Sequence, residues 1–235
     1  MKEIHNKMIS IKKKLPFSND LRKDISEEER LYWVWENLAL EGISVEKAEI
    51  EAALLGKEKF GGNVSQGVMI WKIDQLREKI YSYDKDKYDF DLKMVKDLRG
   101  VLEKKETEYR KRTPLMKYIQ YTPPLPQEVP EMMGNYKFFY HREDEENDLF
   151  LKAARLHNKF VAISPFVNGN LILARTVMEY FLVTSGYPMV RVCSDQTEYF
   201  DVIKEYLKRG NSNILAQMIK ENMKKRLDEI EKKLR

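Results

Sequence analysis

Apolar positions recur at helical spacing along most of the 235-residue chain. Ser26-Glu-Glu-Glu29 reads as a capping box ahead of Leu31, Trp33, Val34 and Leu38, predicting a helix over about 27–41 that stops at Gly42. Ser44 reads as the N-cap of a second helix. After the loop at Gly61-Gly62-Asn63 the pattern predicts helices over Val64 to Tyr81 and about 90–106. Leu115 to Tyr121 alternates apolar and polar residues and ends at Pro123-Pro124, so it reads as a short strand or hairpin. Pro126 to about Phe139 is helical again. Leu149, Ala153, Leu156, Phe160 and Ile163 then step by 4, 3, 4 and 3, a clean helical stripe. Leu171 to Thr184 is apolar nearly all round, which predicts a central buried helix. Met189 to Val192 reads as a small strand, with helices over about 196–208 and 211–234. The fold class is mainly α with a small β-hairpin, in three segments: 1–89, 90–210 and 211–235.

Composition narrows the setting. The 42 Lys+Arg nearly balance 38 Asp+Glu, and no basic stripe carries interleaved aromatics, so nucleic acid is not an expected partner. One cysteine, Cys193, excludes an intramolecular disulfide and any CxxC metal knuckle and suits a reducing compartment. The densest apolar run, Leu171 to Val183, is interrupted by Arg175 and Glu179, so no membrane span is expected. Lysines without an apolar core in Met1 to Leu15 do not make a secretory signal. A cytoplasmic protein is the expectation.

Candidate chemistry gathers at the turn Ser164-Pro-Phe-Val-Asn-Gly-Asn170. Gly169 and Asn170 open the buried helix, so unpaired backbone N–H groups and the positive dipole end face this loop. Arg175 lies five residues beyond Asn170 among apolar neighbours. A buried guanidinium needs an anion, and spacing alone leaves two: a structural carboxylate or a phosphate.

The turn resembles the core motif HxFx(D/E)GNGRxxR of the Fic (Fido) family, whose enzymes typically move AMP from ATP to a protein hydroxyl. Here the segment reads Ser164-Pro-Phe-Val-Asn-Gly-Asn-Leu-Ile-Leu-Ala-Arg175. Glu108-Tyr109-Arg110 resembles the family's G-x-Y-R, and Tyr121 to Met133 resembles its PP…VP…M stretch. Leu156-His157 before the motif and Gly186-Tyr187-Pro188 after the central helix fit as well, so about 90–210 is covered. The resemblance implies a Fic-fold helical bundle with a β-hairpin flap, and Mg-ATP as ligand; the residues by themselves name no cofactor. Asn37-Leu-Ala-Leu-Glu41-Gly42 is similar to the family's inhibitory segment (S/T)xxxE(G/N), with Asn37 in place of the hydroxyl residue. That likeness implies that Glu41 pairs with Arg175.

The departures fall on the chemistry. Phe166, Gly169, Asn170 and Arg175 match, and the resemblance gives Gly169, Asn170 and Arg175 phosphate-facing roles. Ser164 stands where the family has its histidine base, and a hydroxyl is not basic near neutral pH; losing a positioned base forfeits ~10²–10⁴ in rate. Asn168 replaces the acidic Mg²⁺ ligand, so no metal site is assigned. Leu171 would crowd the closest backbone–phosphate approach, and Ile172 removes an arginine.

His157 precedes Ser164 by about two turns and reads as a hydrogen-bonded core residue, and His141 as part of a solvated helix end. Met116, Tyr118, Ile119 and Tyr121 are the candidates for a flap edge that a protein target would join by strand addition. Met223, Leu227, Ile230 and Leu234 give the last helix an apolar seam, for intrachain docking or a homodimer. The sequence thus points to a Fic-like protein with impaired transferase chemistry and a binding or regulatory role. Its rivals are a divergent transferase autoinhibited by Glu41 and a partner-binding module without nucleotide.

Overall fold

The computed structural model describes residues 2–55, 63–104, 107–114, 116, 119–142, 148–193 and 195–234. Among them are ten α-helices: α1 (Lys2–Lys12), α2 (Asn19–Leu40), α3 (Lys47–Leu54), α4 (Val64–Lys85), α5 (Leu92–Leu102), α6 (Val129–His141), α7 (Leu149–Ile163), α8 (Asn170–Thr184), α9 (Gln196–Arg209) and α10 (Asn213–Lys233). Pro126–Glu128 adds one 3₁₀ turn ahead of α6.

α7 and α8 form the centre. Asp148 caps α7 by accepting the Phe150 and Leu151 N–H groups, and Ala153, Leu156, Phe160 and Ile163 of the predicted stripe are buried, with Leu149 partly so. In α8 only Leu171, Phe181 and Thr184 escape full burial. α10 packs on α7, α4 lies between α2 and α8, and α1 closes over α10. The seam of α10 is covered within the chain: Met223, Leu227 and Ile230 are buried, and Lys224 reaches Glu3 while Lys233 reaches Asp24.

Three sequence expectations are corrected. First, α2 begins eight residues early, capped by Ser18, whose Oγ accepts the Leu21 N–H at 3.3 Å. Ser26 sits inside the helix, where its Oγ accepts from Arg77, and Glu29 is buried against Arg77 and Tyr81. The apparent capping box is half of a core ion-pair cluster. Likewise, α3 is capped at Glu46 rather than Ser44. Second, no strand occurs among the described residues: Met116 and Tyr121 make one isolated antiparallel bridge, and Gln120 turns the chain with φ +52°. Leu115, Lys117 and Tyr118 lie outside the described residues. Third, Met189–Val192 forms no strand; the Val190 and Val192 N–H groups pair with carboxylates instead, as described below. Helix α1 had no predictor in the sequence; its Ile4 and Ile11 bury one narrow edge of an otherwise polar segment.

Candidate functional site

The site is built at the end of α2, the first half of α8 and the first turn of α9. Gly42, with φ +76°, ends α2 in a Schellman turn: Ile43 N–H donates to Leu38 O at 2.9 Å and Gly42 N–H to Ala39 O at 3.0 Å. Gln196 of α9 covers the same turn by donating to Leu40 O at 3.0 Å. Glu41 is thereby fixed as the C-cap, with its side chain toward α8.

Arg175 is 1% exposed, and all three of its nitrogen groups are spent inside the chain. Nη2 donates to Glu41 Oε1 at 2.7 Å, Nε to Asn37 Oδ1 at 2.8 Å, and Nη1 to the Tyr199 hydroxyl at 3.1 Å. Burial opposes its charge, but Tyr199 and Glu41 outweigh it and raise the pKa further. Asn37 is itself anchored by donating from Nδ2 to Trp33 O at 2.9 Å.

The chain of donors continues inward. Tyr199 O–H donates to His157 Nε2 at 2.7 Å, so Nδ1 carries the proton and donates to Asn158 Oδ1 at 3.0 Å. Asn158 Nδ2 then donates to Ser212 Oγ at 3.1 Å. Burial pushes the His157 pKa down to about 4, and the imidazole is neutral. His157 is therefore a core residue, yet it stands only one hydrogen bond behind a partner of Arg175.

The motif turn is held from both sides. Arg110 Nε donates to Ser164 O at 2.7 Å and Nη2 to Pro124 O at 2.6 Å, while its N–H donates to Pro165 O at 2.9 Å. Asn170 closes the loop by accepting the Phe166 N–H at 3.0 Å and donating to Phe166 O at 2.8 Å. Gly169 is left-handed (φ +71°), and a Cβ there would lie 3.1 Å from Leu102 Cδ1 and 3.2 Å from Arg99 Nη1. Arg99 of α5, also 5.5 Å from the Phe166 ring centroid, brings to this turn a cation that the sequence reading missed. Its one signal was an arginine on the buried stripe of Val95, Leu98 and Leu102.

Ser164 terminates α7 in left-handed conformation (φ +44°), fully buried. Its Oγ donates back to Val161 O at 2.6 Å and lies 3.3 Å from Met116 Sδ. Asn168 is exposed, Leu171 is partly exposed, and Ile172 is 2% exposed, its side chain inserted in the core. At the flap position Ile119 is buried, and Tyr121 spends its hydroxyl on Ala162 O at 3.1 Å. His141 is exposed at the end of α6, with Nε2 2.8 Å from Phe90 O.

Residues 89–182 match the family model described as Fic/DOC family. These residues make a Fic/DOC-type domain. Solved structures agree on the fold. A Fic domain-containing signalling protein from Bacteroides thetaiotaomicron superposes with a TM-score of 0.86 at 18% identity, covering 99% of this chain and 96% of that one. Residues 134–508 of Fic-1 from C. elegans give 0.74 at 20% identity, covering 99% of this chain and 69% of that one. A Fic family protein from Desulfovibrio desulfuricans gives 0.72 at 14% identity, with 96% and 73% covered. In this Fic domain the helical scaffold carries a turn whose polar groups are mostly committed to one another.

Proposed function

We propose that this chain is a Fic-domain protein with silenced AMP-transfer chemistry, serving a binding or regulatory role in which α2 locks the phosphate-facing end of α8. The observation that carries the reading is Arg175, which donates simultaneously to Asn37, Tyr199 and Glu41 and keeps no edge for a phosphate. Ser164 supports it: the hydroxyl at the base position is buried and donates into its own helix, so it neither accepts a proton nor faces a substrate. Mg-ATP does not fit the residues present. The metal position holds a neutral amide, Asn168, and Ile172 is a core residue where the pattern calls for a cation. The described flap residues offer little free edge to a target peptide, since Ile119 is buried.

Calorimetric titration of Mg-ATP into wild type and Glu41→Gly, alongside incubation of both with labelled ATP and lysate, tests this. We expect no labelled protein from either. Binding that appears only in Glu41→Gly, accompanied by labelling, would replace the reading with an autoinhibited transferase.

A further inference from the structure

A second concavity lies apart from Arg175, walled by α2, the segment 189–193 and α10. Its larger lobe has a volume of about 330 Å³, within the ~300–1,000 Å³ range of small-molecule sites. A narrow extension of about 30 Å³, room for little more than one water-sized group, shares four of its residues: Glu36, Arg191, Asn222 and Lys225.

Glu36 forms the floor of both parts and is only 3% exposed. Both of its backbone contacts fall on one oxygen: Val192 and Cys193 N–H donate to Oε1 at 2.6 and 2.7 Å. Oε2 takes no hydrogen bond from a described residue. A carboxylate held through one oxygen by backbone N–H groups keeps the other able to accept from a ligand. Glu198 and Glu221 stand on the rim and pair with no cation among the described residues.

The two cations are unequal. Arg191 is already engaged, stacked 4.2 Å over the Tyr32 ring and donating to Glu229 at 3.3 Å. Lys225 is exposed and approaches no carboxylate among the described residues; its Nζ reaches only Asn222 Oδ1 at 3.4 Å. Three carboxylates against one available ammonium favour a guest that is cationic over most of its length and anionic at one end. Trp35, Val192 and Met218 supply apolar wall between these charges, suited to a methylene stem.

We propose that this concavity binds a small amine of the basic amino-acid class, its ammonium or guanidinium group meeting Glu36 and its carboxylate meeting Lys225. The site is independent of whether the Fic turn handles nucleotide, so the failure of either reading leaves the other standing.

The test is calorimetry on the full chain with L-arginine, L-lysine and agmatine, which is arginine without its carboxylate. L-arginine or L-lysine should bind, and agmatine at least about tenfold more weakly, the loss typical of one charged hydrogen bond. Lys225→Ala, on the exposed rim, should lower L-arginine to the agmatine level and leave agmatine unchanged. Glu36→Gln, which keeps an oxygen for Val192 and Cys193, should weaken all three by about tenfold or more. Circular dichroism of this variant checks that it folds; should it not, the Lys225→Ala comparison decides alone. No heat from either amino acid, equal binding of agmatine, or unchanged affinity in the variants would overturn the proposal.

Discussion

Arg175, Tyr199 and His157 show how one side chain's polarity fixes the next. Tyr199 must accept from a guanidinium and therefore has its proton free for His157, which leaves the histidine a single tautomer. Tyr199→Phe would strand both neighbours in the core. It should cost about 1–3 kcal/mol in urea unfolding, more than an exposed Tyr→Phe change such as would be ordinary elsewhere. A pH dependence follows from the imidazole. Its pKa falls from the ordinary 6.5 to about 4 on folding, so the unfolded chain binds the extra proton between those values. His157 thus favours the fold fully above pH 6.5, and this contribution drains away as pH drops toward 4, by roughly 3 kcal/mol in all. Urea midpoints of wild type and His157→Asn at pH 7 and pH 5 should differ by a smaller pH effect in the variant. The sequence alone required an anion for Arg175, and family resemblance pointed to Glu41. It could not supply Asn37 or Tyr199, because which neutral groups complete a buried guanidinium depends on helices 138 and 24 residues away meeting correctly.

Segment 189–193 is an element defined by its partners. Val190 N–H donates to Glu179 of α8 at 3.2 Å, and Val192 and Cys193 N–H donate to Glu36 of α2. Alternating apolar residues suggested a strand; two buried carboxylates take the place of a neighbouring strand's carbonyls, which no local pattern reveals. Burial pushes Glu36 up to about 7 against the pull of those N–H groups, and raises Glu179 as well. The sign is opposite to that of His157. Between the usual carboxyl value of 4.5 and about 7 the folded state holds the extra proton, so this contribution is present at low pH and lost as pH rises. Glu36→Gln should therefore be more stable relative to wild type at pH 7 than at pH 5, by about 3 kcal/mol at most, again read by urea midpoints. Helix positions were legible because α7 and α8 bury long, regular faces. Helix starts were not, since Ser26 and Glu29 satisfy a capping pattern while serving Arg77 in the core.

At the scale of the whole molecule, the motif's decay is built into the packing. Leu171 and Asn168 lie near the surface, and changing them disturbs little; Ile172 is part of the core shared by α8 and its neighbours. Restoring the family pattern is accordingly uneven. Asn168→Asp with Leu171→Gly should leave a folded chain, whereas adding Ile172→Arg should lower stability by about 3 kcal/mol or more, since it buries an unpaired charge. Thermal unfolding of the two combinations checks this. The family and its helical fold were readable from spaced motifs. The flap was not: among the described residues a single bridge between Met116 and Tyr121 stands where alternation implied a hairpin.

Asn37 and Glu41 lie four residues apart on α2, close to one full turn, and seize two edges of the same guanidinium. The last turn of that helix is therefore indexed against α8 in rotation as well as in depth. One residue inserted between the two would swing the later one by about 100° around the axis, so a gap of three residues here is a fixed pitch that any descendant of this chain must keep or abandon whole.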